Sequence, residues 1–477
     1  MTDSQSTEPQ APVTVVPSLP NRRNAEAALI GCAAVITTLA LLIVDANAER
    51  GFHADLIVFP LGFCAIFGLA HLAVRRWAPY ADPLLLPVVA LLNGLGLVLI
   101  YRLDLSADGK RPEGIISGGN ANHQLLWMLL SIVLFAGLLK LVPDHRMLSK
   151  YGYICGLAGL VLLVLPALLP DRVAEQYGAK IWIQLPGLSI QPAEFSKILL
   201  LIFFASVLVS KRGLFTSAGK HIGGLNLPRP RDLAPLLVMW IVSIGIMVFE
   251  KDLGASLLLY ATFLVLLYVA TEKISWVIIG VLLFALGSVV AYHLFHHVQV
   301  RVQNWIDPFA DPDGVGYQMV QSLFSFATGG LFGTGLGNGQ PGSVPDASTD
   351  FIISAAGEEL GLVGLAAILM MYSIVVIRGM RTAVAVRDSF GKLLAAGLSA
   401  ALALQTFIVV GGVTKLIPQT GLTTPWMSYG GSSLVSNYIL LAIVIRISHV
   451  ARRPITSGKA TNPTPIAGAR TEVIETA

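Results

Sequence analysis

Charge is scarce in this chain. Asp, Glu, Lys and Arg make up 13% of its 477 residues, about half the ~25% of an ordinary soluble domain. With 55% hydrophobic residues, that scarcity excludes disorder and nucleic-acid binding as whole-chain readings. Cysteine is scarcer still. Cys32, Cys64 and Cys155 each sit inside an apolar run with no CxxC spacing, which excludes a disulfide scaffold and a zinc site. A P-loop, an HExxH helix and a GxSxG elbow are also missing, and with them the nucleotide, metallohydrolase and serine-hydrolase chemistries they signal. Any reaction must therefore draw on an already activated substrate or on an ion gradient.

What the chain has is long apolar runs. A helix needs about 20 mainly apolar residues to cross the hydrocarbon core of a bilayer. Twelve such segments lie near 26–45, 56–74, 83–101, 124–142, 151–169, 192–210, 233–250, 253–270, 274–292, 350–377, 391–414 and 430–449. They predict an all-α polytopic membrane protein with membrane lipids around it. Residues 1–23 and 451–477 are rich in Pro, Thr, Ser, Gln and Ala and read as disordered tails. No pattern of a cleavable signal peptide precedes the first run. With the N-terminus inside, twenty-two of the 32 Lys and Arg residues fall on the inner side, nine on the outer, and Lys197 within a span. The positive-inside rule then puts both termini in the cytoplasm and the longest connection, 293–349, outside.

An ionisable group in or beside a span is costly and usually pairs or lines a wet cavity. Two places qualify. In QPAEFSK, Glu194 and Lys197 share one face of a helix beginning near Pro192. They are either a self-neutralising interfacial pair with a snorkelling lysine or the wall of a polar cavity. In FEKDLG, Glu250, Lys251 and Asp252 lie between two spans. The bland reading is a solvated turn, but Asp252 stands at a helix N-terminus, where the dipole favours its ionised form.

The outer connection is rich in signals. Asp307-Pro308, Asp311-Pro312 and Asp313-Gly314 mark turns, and Trp305, Phe309, Tyr317, Phe324 and Phe326 suggest a packed lid on the membrane surface. GTGLGNG lacks a preceding strand and faces away from cytoplasmic ATP, which argues against a nucleotide site. DPDG lacks the remaining acidic positions of a calcium loop. His293, His296 and His297 have helical spacing, and an interfacial helix end explains them better than a metal. An outward-facing polar cavity under an amphipathic lid suits a lipid-linked substrate whose head group lies outside. Composition and spacing go no further.

Four motifs, taken in order, strongly resemble the SEDS family (shape, elongation, division and sporulation proteins). They are KIWIQLPGLSIQPAEFSK at 180–197, FEKDLGAS at 249–256, RVQNWIDPF through GYQMVQSLFSFATGGLFGTGLGNG at 301–339, and TGLTTPWMSYGGSS at 420–433. STDFIISAAGEELGLVG at 348–364 joins the third motif to the following span. The family plan has ten spans. Two helices within 24–82 are extra, so a SEDS core of 83–450 is expected, in a bundle of about twelve helices. The close likeness along the whole chain resembles most the elongation branch found in actinobacteria.

The resemblance implies a peptidoglycan glycosyltransferase that polymerises lipid II on the outer face of the cytoplasmic membrane. It inverts the donor's anomeric carbon and releases undecaprenyl diphosphate, which explains why no nucleotide is needed. Asp252 matches the family's essential aspartate, as general base or as ligand of a divalent cation (Mg or Mn). Glu194 and Lys197 match its cavity pair, with Arg301 a second cation for anionic groups. Ser428 and Tyr429 match a motif that closes the cavity, although close helix packing explains small residues there equally well. The implied partner is a class B penicillin-binding protein, a transpeptidase. The competing functions are a lipid II flippase, a division-type polymerase, and a scaffold that only recruits wall enzymes. A transporter wants its charges near the midplane and internal repeats, whereas Asp252 lies at the outer end.

Overall fold

The computed structural model describes residues 22–49, 51, 53–105, 119–176, 179–185, 188–211, 220–222, 225–227 and 230–454. The tails expected at 1–23 and 451–477 lie almost wholly outside these residues. At their edges the structure differs, because Arg23 already opens the first helix and Arg452 ends the last.

Each of the twelve apolar segments is helical, from Arg23–Asn47 to Gly431–Arg452. Among the described residues, ten helices are long and apolar enough to cross a membrane. The other two are shorter where they are apolar, Gly152–Leu168 and Leu236–Phe249, so twelve full crossings do not follow from helix length. The small hairpin pieces Glu175–Gln176 with Ala179–Lys180, Ile183–Leu185 with Leu188–Ile190, and Lys220–Ile222 with Leu225–Leu227 punctuate the connections.

The core is built from Leu85–Leu103, Pro192–Ser210, Ser389–Val413 and Gly431–Arg452, the most enclosed of the spans. Asn120–Leu141 packs on Gly431–Arg452, Gly152–Leu168 on Pro192–Ser210, and Ile352–Ala385 and Leu253–Thr271 on Ser389–Val413. At the other extreme, Ile274–Leu294 touches little beyond Leu253–Thr271 and presents its apolar surface outward. In water such a face would be untenable, and in a bilayer it is ordinary solvation.

The first two helices, Arg23–Asn47 and Asp55–Trp77, are tied to the core at both ends. Buried Arg446 on the last helix donates Nη1 to Trp77 O at 2.7 Å and Nη2 to Leu139 O. A cation thereby sits at the C-terminal ends of two helices, where the dipole favours it. At the opposite end Tyr101 donates to Asp45 Oδ1 at 2.8 Å, and Asn47 Nδ2 donates to Leu336 O at 2.6 Å.

The connection expected as a lid at 293–349 contains two helices, His296–Ile306 and Tyr317–Gly329, and short 3-10 turns at Pro308–Ala310 and Pro341–Ser343. Its glycine run has a packing function. Thr334 N and Gly335 N donate to Glu358 O and Glu359 O at 2.9 and 3.0 Å, where Ile352–Ala385 is broken at Gly361 by a φ of +66°. The close approach of two backbones explains these glycines without a nucleotide.

Candidate functional site

Asp252 owes its position to a tight link between two helices. Phe249 ends one helix, Lys251 adopts a left-handed φ of +67°, and Asp252 N donates to Met247 O at 2.8 Å. Asp252 then caps Leu253–Thr271, its Oδ1 accepting from Ala255 N at 2.9 Å. The side chain is 8% exposed. The sequence suggested that the helix end keeps this group ionised. Burial outweighs it: desolvation pushes the Asp252 carboxyl above the usual aspartate range, against the pull of the Ala255 amide. Glu194 adds to the rise, while Arg301 and Gln191 oppose it.

Glu194 and Lys197 lie in the first turns of Pro192–Ser210, a helix opened by a proline at its first position. Both are buried. Lys197 Nζ donates to Glu194 Oε2 at 2.6 Å and to Gln405 Oε1 at 3.0 Å, while Ser436 on the last helix donates to the same Glu194 oxygen at 2.8 Å. This is a three-helix polar junction, not a lysine reaching for the interface. The Gln191 side-chain amide, one residue before the helix, lies 3.4 Å from Asp252 Oδ2, and so brings the pair and the aspartate into one site.

Arg301 enters from the 293–349 connection on His296–Ile306. Its Nη1 donates to Thr420 O at 3.2 Å and Gln419 O at 3.4 Å. Burial lowers its proton affinity, while Asp252 and Asp350 raise it. Asp350, half-buried where the connection returns to the bundle, carries a carboxyl pushed up to about 6 by burial. Asp346 and Asp252 add to that rise and Arg301 opposes it.

Ser428 and Tyr429 belong to a non-helical loop, 414–430, that runs back into the bundle. Ser428 Oγ accepts from Thr424 N at 2.8 Å and donates to Thr349 O, and Tyr429 N donates to Ser348 O at 2.7 Å. Non-helical backbone is tolerated at such depth only when protein partners satisfy it. Here Asn93 donates to Trp426 O at 2.7 Å, Gln124 to Ser428 O at 3.2 Å, and Tyr372 to Pro425 O. Gly96 lets the loop lie against Leu85–Leu103, since a Cβ there would stand 2.4 Å from Met427 O. Ser428 thus ties this loop to the end of the 293–349 connection.

The structure therefore gathers Glu194, Lys197, Asp252 and Arg301, whereas Ser428 and the Tyr429 backbone bond to Thr424, Thr349 and Ser348 and to none of these four. Gln191, Asp350, Gln405 and Ser436 were missed from sequence. For Gln405 a signal existed: a lone glutamine within the apolar run LSAALALQTFIVV is costly unless partnered. His293, His296 and His297 join no metal-binding group, for no cluster of three or more His, Cys, Asp or Glu exists among the described residues.

Comparison with known proteins finds relatives along nearly the whole chain. A family model described as "Cell cycle protein" (FtsW, RodA, SpoVE) matches residues 82–453. The chain is 68% identical over 470 residues to a protein of Mycobacterium tuberculosis named peptidoglycan glycosyltransferase RodA, covering 98% of this chain and 99% of that one. It is 64% identical, over the same shares, to the protein of that name from Mycobacterium leprae. A solved structure described as "Structural coordination of polymerization and crosslinking by a peptidoglycan synthase complex" matches with a TM-score of 0.53 and 25% identity, over 82% of this chain and 96% of that one. The match begins at residue 82, after the first two helices. The chain is a multi-pass bacterial membrane protein that belongs to the FtsW, RodA and SpoVE family of cell cycle proteins, on its actinobacterial RodA side.

Proposed function

We infer that this chain is a peptidoglycan glycosyltransferase of cell elongation, which polymerises lipid II into glycan strands. The likeness of 68% over nearly the whole chain to proteins named for that activity supports the reaction class. The observation that carries the mechanism is one buried carboxylate, Asp252, electrostatically coupled to the Glu194–Lys197 pair on one side and Arg301 on the other.

Asp252 acts as general base. It takes the proton from the 4-hydroxyl of the acceptor GlcNAc while that oxygen bonds to the anomeric carbon of the donor MurNAc. The α-linked anomeric C–O bond to the diphosphate breaks with inversion, undecaprenyl diphosphate leaves, and the product is β-1,4-linked. A carboxylate whose proton affinity is raised by burial is better matched to this task than an ordinary aspartate. Lys197 and Arg301 hold anionic oxygens of the diphosphates. Glu194, fixed by Ser436, restrains the ammonium, and Ser428 and Tyr429 close the wall.

Asp252 also fits a divalent cation, Mg or Mn, as a hard oxygen donor. No cluster of three candidate ligands lies among the described residues, so Asp252 would contribute one carboxylate beside the substrate's phosphates and water, a common arrangement for magnesium. Such a cation would neutralise charge on the leaving diphosphate.

In this reading both termini are cytoplasmic, the site opens on the extracellular side, residues 83–450 form the core, and 24–82 supply two additional helices. The partner is a class B penicillin-binding protein that crosslinks the strands. The test is polymerisation of purified lipid II by the purified protein, with and without that partner. Glycan polymer on a gel is expected. No polymer in either case, with transbilayer movement of lipid II in vesicles instead, would make it a transporter.

A further inference from the structure

The segment 419–424 touches the surroundings of three of the four charged groups in the site, Arg301, Asp252 and Lys197. Its Gln419 and Thr420 carbonyls accept from Arg301. The Thr420 carbonyl and Leu422 lie against Gly254, in the first turn of the helix that Asp252 caps. A Cβ on Gly254 would stand 2.8 Å from both Thr420 O and Leu422 Cγ, so glycine is what allows the segment to rest there. The Thr423 carbonyl accepts from Gln405 Nε2 at 2.9 Å, and Gln405 Oε1 accepts from Lys197 at 3.0 Å. Thr423 Oγ1 donates to Ser433 Oγ at 2.7 Å, which fixes the segment against the last helix.

Gln405 is 2% exposed and both ends of its amide are engaged, so its orientation is determined. The lysine it meets is different. An ammonium on a four-carbon stem is a mobile point charge with three donors. Glu194 lies on the same helix, three residues away, and ties the ammonium only to the last helix, through Ser436. Gln405 supplies the reference to Ser389–Val413 and to the 419–424 segment. Two of the three Lys197 donors are then engaged and one remains for an anionic oxygen.

We propose that Gln405 is a positioning residue for the transfer reaction: its amide locks the Lys197 ammonium to the 419–424 segment, and through that segment to Arg301 and the start of the Asp252 helix. The two cations and the base are thereby held in one frame. Precise alignment of reacting groups is a large part of catalysis, and small misplacements cost heavily. The proposal rests on the reading of Lys197 as a diphosphate-binding cation.

The test is a double-mutant cycle on the full-length protein in micelles, with undecaprenyl diphosphate as the binding probe and lipid II polymerisation beside it. Gln405→Leu should weaken binding about tenfold, as expected for a lost hydrogen bond to a charged group, with the melting temperature near the parent's. Lys197→Met should weaken it at least as much. The double variant should bind no more weakly than Lys197→Met alone, because Gln405 acts only through Lys197; a merely structural glutamine would give additive losses. Additive losses, or parental binding by Gln405→Leu, overturn the proposal. Parental binding by Lys197→Met overturns the reading of Lys197 itself, whatever Gln405 does. If Gln405→Leu does not fold, Gln405→Met takes its place in the cycle under the same criteria.

Discussion

The Gln191 side-chain amide lies 3.4 Å from Asp252 Oδ2, so the residue that precedes one helix steadies the residue that caps another. Ala255 N takes the other carboxylate oxygen. Each oxygen of Asp252 therefore has one protein donor and keeps lone-pair capacity for a substrate proton or a cation. That spare capacity is what the proposed role as general base requires, and it sets the first prediction.

Asp252→Asn keeps the size of the side chain and an oxygen for the Ala255 cap, and removes the proton affinity and the negative charge. Polymerisation of lipid II should fall 10²-fold or more, roughly the scale of general acid–base catalysis. Binding of undecaprenyl diphosphate should persist, since Lys197 and Arg301 remain. A gel assay beside a binding measurement on the same preparation decides it. Full-length polymer at the parental rate would remove Asp252 from the mechanism.

Lys197→Met should lower polymerisation by about tenfold or more, the loss of a charge-assisted contact, while expression and membrane insertion stay near normal. Methionine suits the bilayer better than an ammonium, and Ser436 still donates to Glu194. The measurement is initial rate against lipid II concentration. A parental rate would make Lys197 a packing residue only.

Asp350 predicts a pH dependence of stability. Its folded carboxyl is raised to about 6, with burial the main cause. For a group raised in this way, the stabilising contribution is present below the ordinary carboxylate range and is lost as pH rises through about 6. Asp350→Asn should therefore be more stable than the parent at pH 8, by about 1–2 kcal/mol for a half-buried group. The difference should vanish near pH 4. Melting temperatures in detergent across this range test it. A variant less stable at pH 8 would mean that attraction to Arg301 exceeds the cost of burial.

Gly96→Ala should destabilise the loop that carries Ser428 and Tyr429. Its Cβ would stand 2.4 Å from the Met427 carbonyl and 2.6 Å from Met427 Cα, both backbone atoms. Overpacking of this kind costs about 1–3 kcal/mol, and polymerisation should fall with it. A thermal shift assay on the purified variant is sufficient. An unchanged melting temperature would show that the loop can retreat without loss.

Part of this site was legible in the residues themselves. Glu194, Lys197 and Asp252 announced themselves because ionisable groups at the ends of apolar runs are expensive, and the motifs around them are specific, whereas Arg301 came only with the resemblance. Their grouping was legible only through resemblance, since Gln191 and Asp252 are separated by more than a helix and a connection. The glycine run at 333–339 suggested only what it was not, and its purpose appeared once Glu358 and Glu359 were found to accept from its amides.

The sequence by itself determined that the chain is a helical membrane protein, because hydropathy over about 20 residues is a local property that no tertiary contact can reverse. It also determined which charges are conspicuous. The tertiary structure decided which of them meet, and in what state. The helix end at Asp252 argued for an ionised carboxylate, but the surrounding helices bury it and raise its proton affinity. The Glu194–Lys197 pair was ambiguous until Gln405 and Ser436, from two distant helices, closed around it. Burial and hydrogen bonding between helices depend on packing, and packing joins residues that sequence spacing keeps hundreds of positions apart.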